Sequence, residues 1–328
     1  MSSKSLPLVL IVSPALAQAN NGNWHTAFRW SRMLAKHCRT AIVSAWQGED
    51  CAALIALHAR RSAPSIDAYA RAHPQRPLVV VLTGTDLYRD IHSDAAAQRS
   101  LQQASHLVVL QDQGVQELPQ ALRAKCSVIY QSSPPLQPVP APQRVLRVVS
   151  VGHLRDEKDP ATYLRAARRL RERGDIRFEH IGEALDLALG AIAQRTQAEC
   201  PHYRWLGALP RTATRQHIRR AQVLVSTSRM EGGAQVILEA AQSGTAVVAS
   251  NIPGNVGMLG PGHAGYFELG DDAGLAKVLA RARDEPRFLA TLRAQTMARA
   301  PLFEPAEEQR RLVHLITTAL ENPHERTE

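Results

Sequence analysis

"LPLVLIVSPALAQANNGNW", residues 6–24, supports two incompatible readings. An apolar run after Lys4, closed by Ala15-Leu16-Ala17, has the order of a secretion signal and its cleavage site. The same residues also read as the first buried strand of an α/β protein, running into a glycine-containing loop that meets a ligand. As a signal the apolar part is short, Leu6 to Val12, and Pro14 follows at once. The rest of the chain decides the matter. "LVVVLTG" (78–84), "LVVL" (107–110), "LRVVSVG" (146–152), "VLVSTS" (223–228) and "AVVAS" (246–250) share its character: short, β-branched, apolar, and ending in small or polar residues. Continuous apolar strands of this kind belong to parallel sheets covered on both faces. Leu8 to Ser13 fits as the first of them, and a cytoplasmic protein is expected.

Between the strands lie helical stretches at 24–37, 94–104, 160–173, 185–198, 212–220, 234–243, 272–283 and 286–298. Such alternation implies βαβ units with right-handed crossovers. It is broken once, by "QSSPPLQPVPAPQ" (131–143), whose five prolines suit an extended, semi-rigid connector. The expected division is residues 1–135 as a Rossmann-like domain, 136–143 as linker and 144–300 as a second α/β domain. Residues 301–328 form a last helix that crosses back to the first domain. A length of 328 residues agrees with two domains of about 150 each.

Composition removes several function classes. Hydrophobic residues make up 45% and charged residues 21%, ordinary for a chain with a real core, and no apolar run approaches the ~18 residues of a bilayer span. Cys38, Cys51, Cys126 and Cys200 are scattered, without CxxC or histidine spacing, so neither a zinc site nor a disulfide framework is expected. The net charge of +9 is dispersed along amphipathic helices such as "YLRAARRLRERG" (163–174), with few aromatics. A solvated basic surface that favours anionic small molecules explains it better than nucleic-acid binding.

In open α/β sheets, ligands bind beyond the carboxyl ends of the strands. The loops at 13–24, 83–89, 152–158, 228–234 and 250–258 are therefore the candidate site, on two domains expected to face a central cleft. The most specific stretch is "SRMEGGAQVILEAAQSGTAVVAS" (228–250). A strand ends at Thr227, then Glu231-Gly232-Gly233 leads into a helix carrying Glu239. Glycines there let main-chain amides approach a phosphate, and a carboxylate in the same cleft accepts hydrogen bonds from sugar or ribose hydroxyls. On the other half, "QANNGNWHTAFRW" is polar and amide-rich: Asn20, Asn21 and Asn23 offer side-chain amides, Gly22 permits close approach, and Trp24 starts a helix. A turn with several caps is the alternative reading of that loop.

Glu231 and Glu239, with seven residues between them, resemble the E-x7-E motif of the family-4-type glycosyltransferases, enzymes of the two-domain GT-B fold that use nucleotide sugars. "SGTAVVASNIPGNVGML" (243–259), "RWLGALPRTATRQHIRRAQVLVSTSRMEGG" (204–233) and "VSVGHLRDEKDP" (149–160) look like further segments of that family. The resemblance implies that Lys158 binds the donor's diphosphate. His153 stands at the family's arginine position, so Arg155 supplies the second cation. Gly232, Gly233 and Ala234 offer amides to phosphate, Glu239 binds the ribose, and Glu231 contacts the transferred sugar; Gly254 and Asn255 complete the donor side. The pattern lacks a DxD-type carboxylate pair, so cations and amides rather than a metal are expected to meet the leaving diphosphate, and no cofactor is required.

"SPALAQANNGNWHTAFRW" (13–30), "ALIALHARRSAPSI" (53–66) and "LTGTDLYRDI" (82–91), together with residues 231–260, narrow the resemblance to the selenosugar synthases of selenoneine biosynthesis. These join selenium from selenophosphate to the anomeric carbon of a sugar from a UDP donor such as UDP-N-acetylglucosamine or UDP-glucose. The acceptor side would then comprise Asn20, Asn21, Gly22, Asn23, Trp24, His58, Arg60, Arg61, Thr83, Thr85 and Asp86. Thr83 replaces a histidine common in relatives, which suits a nucleophile that arrives already anionic. Neither a nucleic-acid nor a membrane partner is implied. A transferase acting on sugar or lipid alcohols, an epimerase of the same fold, and a non-catalytic nucleotide-sugar binder remain as alternatives.

Overall fold

A computed structural model describes residues 6–14, 22–140 and 144–322. The chain forms two units, one of residues 1–131 with 305–328 and the other of residues 132–304. Each holds a parallel sheet of six strands flanked by helices, the α/β doubly wound class read from the sequence.

In the first unit the strands are β1 (Leu8–Val12), β2 (Arg39–Val43), β3 (Ala53–Leu57), β4 (Leu78–Leu82), β5 (His106–Val109) and β6 (Cys126–Val128). They lie in the order β2-β1-β3-β4-β5-β6. Alternate residues of one strand enter opposite cores. Leu10 and Val12 of β1, Leu54 of β3 and Val80 of β4 pack on one face. Val9, Ile11, Ile55 and Val81 pack on the other, against Trp30 and the terminal-helix residues Leu312, Leu315 and Ile316. Two-sided burial is why these strands are uninterrupted apolar runs. The helix Pro305–Glu321 is locked onto the helix Gly22–Leu34 by the wholly buried Glu308. Its carboxylate accepts from Trp30 Nε1 at 2.8 Å and Arg29 Nε at 2.8 Å. A buried carboxylate without such donors would cost several kcal/mol.

In the second unit the strands are β7 (Leu146–Val151), β8 (Ile176–Ile181), β9 (Tyr203–Trp205), β10 (Val223–Ser226), β11 (Ala246–Ser250) and β12 (Tyr266–Phe267). Their order is β12-β11-β10-β7-β8-β9. One face carries Leu146, Val148, Val223, Val225 and Val248 into a core shared with Tyr163, Phe178 and Leu275. The helices Arg211–Arg220 and Gln235–Ala241 cover the other.

Strand order locates the ligand positions. In the second unit the chain winds outward in both directions from the β7/β10 boundary, and in the first from β1/β3. Such reversals open a crevice at the strand carboxyl ends. The loops after β7 and β10 carry Lys158 and Glu231; the loop after β3 carries His58, and Gly22 and Asn23 open the helix that follows β1.

Several elements escaped the sequence reading: β2, β3, β6, β8, β12 and the helix Ala63–Ala72. "ALIAL" of β3 is made of residues equally at home in a helix. "IRFEHI" of β8 alternates apolar with polar residues and buries one face more than the other. β6 and β12 are two or three residues long and exist by pairing with a longer neighbour.

Candidate functional site

The loop after β7 is built to aim one lysine. Asp156–Lys158 forms a single 3-10 turn, and Asp159 ends it with φ 42°, a left-handed conformation that costs a non-glycine residue about 1 kcal/mol or more. Asp159 is held there by Thr162 Oγ1, which donates to its Oδ2 at 2.7 Å, and by Arg229 at 3.5 Å. The stem of Lys158 runs over Gly152, where an added Cβ would sit 3.3 Å from its Cγ. Gly182, at the end of β8, is tighter: a Cβ there would be 1.9 Å from the Gly152 carbonyl oxygen, so these strand ends meet only because that position is glycine.

The loop after β10 meets this one. Thr227 Oγ1 donates to the Lys158 carbonyl at 2.8 Å, and the Arg229 amide donates to the Glu157 carbonyl at 2.9 Å. Lys158 Nζ then reaches Glu231 Oε1 at 2.6 Å, and Ser228 Oγ donates to the same oxygen at 2.6 Å. Glu231 is only 8% exposed. Its Oε2 makes no hydrogen bond among the described residues. The main-chain amides of Gly232, Gly233 and Ala234 likewise donate to no acceptor among the described residues, although Ala234 is buried. Successive amides left without acceptors are the kind of arrangement that can receive an anion.

Glu239, on the first turns of the helix Gln235–Ala241, repeats the arrangement. Arg211 Nε and Nη2 donate to its Oε1 at 3.2 and 3.1 Å, Gln235 Nε2 adds a bond at 3.3 Å, and Oε2 is unengaged among the described residues. Both glutamates thus keep one oxygen anchored and one available.

The remaining donor-side residues have different surroundings. His153 Nδ1 accepts from the Glu183 amide at 3.1 Å, which leaves Nε2 as the protonated nitrogen of a neutral ring. Burial, with Arg155 and Lys158 adding to it, holds its pKa below the ordinary 6.5. Arg155 is half-exposed, 3.8 Å from Glu157. Asn255, expected on the donor, is instead wholly buried: its Nδ2 donates to the Ser250 carbonyl and Oγ, both at 3.0 Å. Ser250 Oγ in turn donates to the Ser228 carbonyl at 2.6 Å, so Asn255 supports the residue that holds Glu231. Gly254 is also a packing residue, because a Cβ there would lie 2.0 Å from the Glu231 carbonyl oxygen.

In the first unit, Asn20 and Asn21 lie outside the described residues. Gly22 and Asn23 open the helix Gly22–Leu34, and the Trp24 ring stacks on Phe28 at 5.6 Å. His58 follows β3 with φ 73° and is buried. Its Nδ1 accepts from the Arg61 amide at 3.3 Å and its Nε2 lies 3.1 Å from Thr85 Oγ1. Desolvation lowers its pKa, against the opposing pull of Asp86. Asp86 was expected to touch the acceptor; the structure gives it another task. It has no exposure, its Oδ1 accepts from the Thr83 and Gly84 amides at 2.9 Å each, and its Oδ2 accepts from the Ala59 amide at 2.9 Å. It ties the end of β3 to the end of β4. Arg60 is paired with Asp94 at 2.9 Å, so Arg61 is the more available cation beside His58.

Ser228, Ser250, Arg211 and Asp90 escaped the sequence reading. Asp90 is buried, 3.1 Å from Arg89 Nε and 4.0 Å from His58 Nε2. Only Ser228 had a signal, three residues ahead of Glu231. Among the described residues no cluster of three or more His, Cys, Asp or Glu is placed to hold a metal ion, and no helix is long and apolar enough to cross a membrane. The basic stretch 163–174 is largely neutralised by its own neighbours: Arg165 and Arg169 pair with Asp272, Arg168 with Glu199, and Arg173 with Asp175 and Asp284.

Residues 137–297 match the family model of glycosyl transferases group 1. A search of curated proteins returned no match. Among solved structures, sucrose-phosphate synthase from Thermosynechococcus elongatus aligns over 96% of this chain and 99% of its own, with a TM-score of 0.76 and 15% identity. HepE from Anabaena, in complex with UDP-glucose, aligns over 95% and 100%, with a TM-score of 0.73 and 14% identity. The UDP-forming trehalose-phosphate synthase from Burkholderia xenovorans aligns over 83% and 74%, with a TM-score of 0.65 and 13% identity. The matched stretch lies within the second unit, and the likeness to these solved structures shows the GT-B fold.

Proposed function

We propose that the protein is a glycosyltransferase that takes a hexose from a UDP-sugar and joins it to selenium supplied by selenophosphate, releasing UDP. One observation carries the donor half: at the strand-order reversal of the second unit Lys158 meets Glu231, and the three amides that follow it in the chain have no acceptor among the described residues. In this reading Lys158, Arg155 and the amides of Gly232, Gly233 and Ala234 meet the diphosphate, Glu239 Oε2 accepts from the ribose, and Glu231 Oε2 faces the sugar. The match to glycosyl transferases group 1 supports sugar transfer, and UDP-glucose in the HepE complex supports the donor.

The acceptor half rests on the resemblance of the loops around residues 13–30, 53–66 and 82–91. Selenium's lone pair attacks the anomeric carbon while the carbon–oxygen bond to the β-phosphate breaks and its electrons leave with UDP. An anionic nucleophile needs no strong general base, in keeping with Thr83 at the end of β4 and a neutral, buried His58. Cations and amides meet the charge of the leaving group, so the reading requires no metal ion.

Purified protein incubated with UDP-glucose or UDP-N-acetylglucosamine and selenophosphate should release UDP and form a carbon–selenium product visible by mass spectrometry. UDP release with sugar or lipid alcohols alone would overturn the acceptor and leave the donor half standing. Glu231→Ala should lower turnover more than tenfold, about 1.4 kcal/mol of transition-state stabilisation.

A further inference from the structure

The turn that carries Lys158 is held through its main chain by two residues of the loop after β10. Arg229 Nε donates to the Asp156 carbonyl at 3.2 Å, the Arg229 amide to the Glu157 carbonyl at 2.9 Å, and Thr227 Oγ1 to the Lys158 carbonyl at 2.8 Å. The Arg229 guanidinium also spans the turn from end to end. Its Nε lies 3.3 Å from Asp156 Oδ1 and its Nη2 lies 3.5 Å from Asp159 Oδ1. The Asp156 side chain is 85% exposed and that of Asp159 is 2% exposed, so the arginine joins a solvated end of the turn to a buried one.

A single 3-10 turn closes few hydrogen bonds of its own, and this one ends in the left-handed φ of Asp159. Its conformation is therefore imposed from outside. The lysine it carries has a flexible four-carbon stem, so the ammonium is placed only as well as the turn beneath it. Arg229 stands two positions before Glu231, and one short loop thus fixes both members of the Lys158–Glu231 pair. We propose that Arg229 is a positioning residue for diphosphate binding: it sets the turn from which Lys158 reaches the donor and does not itself meet the ligand. The inference rests on the UDP-sugar reading above.

The test is a double-mutant cycle in UDP affinity, measured by titration calorimetry on the wild-type chain, Arg229→Ala, Lys158→Met and the double variant. Arg229→Ala should bind UDP at least about threefold more weakly than wild type, and no more weakly than Lys158→Met, through which its effect passes. In the Lys158→Met chain the same arginine change should alter affinity by less than about 1.5-fold, because the lysine it positions is gone. Arg229→Lys, which keeps the charge but reaches only one end of the turn, gives the same coupled cycle should the alanine variant fail to fold. An equal loss in both backgrounds, or a loss larger than Lys158→Met produces, would mean that Arg229 meets the phosphates itself or acts by charge alone, and would overturn the proposal. Unchanged UDP affinity in Arg229→Ala would overturn it too, with the donor reading intact. A wild-type chain that does not bind UDP would refute the donor reading itself, and Arg229's part with it.

Discussion

Replacing Lys158 with methionine keeps the stem over Gly152 and removes the charge 2.6 Å from Glu231 Oε1. The Glu231 side chain is 10% exposed and that of Lys158 24%, so the pair lies between two regimes. Breaking a buried pair costs about 3–5 kcal/mol, whereas an exposed pair contributes roughly 0–1. Ser228 still donates to the stranded carboxylate, which favours the lower part of the range. The expected loss is about 2 kcal/mol, or roughly 4–8 °C in the melting temperature of a unit this size. Glu231→Gln should cost less, about 1 kcal/mol, because the amide oxygen still accepts from Ser228 and the ammonium turns toward water. The double variant contains neither charge, so it should be more stable than the sum of the two losses implies, with a coupling of about 1–2 kcal/mol. Turnover should behave differently. Each single variant falls more than tenfold in UDP release, and the double variant falls little further, because residues acting as one unit are not additive. Denaturant unfolding of the four proteins measures the first cycle and UDP release the second. Additive stabilities, with coupling below about 0.3 kcal/mol, would refute the ion pair and the charge balance built on it.

Gly254→Ala should lose about 2 kcal/mol or more and most UDP release together, since its Cβ would sit 2.0 Å from the Glu231 carbonyl; a wild-type melting curve would refute that close approach. Asp86→Asn should cost about 2–3 kcal/mol by setting an NH2 against main-chain amides, with UDP affinity within about twofold of wild type by calorimetry. Burial pushes His180 down to about 4 from its ordinary 6.5. The unfolded chain therefore binds a proton that the folded chain refuses between those values, and stability falls as pH drops from 6.5 to 4. Urea midpoints should decline over that window, and His180→Gln should flatten the slope by up to one proton's worth, about 3 kcal/mol in total.

The strands buried on both faces were legible because their own composition encodes the burial: "LVLIV" and "LVVVL" admit no solvated side. Those that depend on a neighbour were not. β8 is half polar, and β12 exists only through pairing with β11. The site divides along the same line. Glu231, Lys158 and the Gly232-Gly233 turn stand close to strand ends whose sequence announces them. Arg211, 28 positions from Glu239, is near it only because the sheet places β9 and β10 on opposite sides of β7 and β8 while their following helices share one face. Asn255 shows the opposite case. An amide in a candidate loop reads as a ligand group, while the structure buries it completely against Ser250.

The two anchored glutamates have an electrostatic consequence. With Lys158 on Glu231 and Arg211 on Glu239, each cation is matched by an anion, and among the described residues Arg155 keeps a long contact with Glu157. On the donor reading proposed above, a diphosphate would bring negative charge into the first pair, where Lys158 would have one ammonium for two claimants. Attraction to Glu231 would weaken as that phosphate engaged, and Ser228, which donates to the same carboxylate, would become its chief restraint. Glu231 would thus be most firmly tied when the site is empty and most responsive to the sugar when the donor is in place. Ser228→Ala separates these states. It should leave UDP affinity nearly unchanged, since Lys158 and the amides remain, and should lower turnover several-fold, since the carboxylate loses its second anchor when it has to hold the sugar. Equal losses in affinity and turnover would mean that Lys158 never leaves Glu231, and the argument for a shared charge would fail.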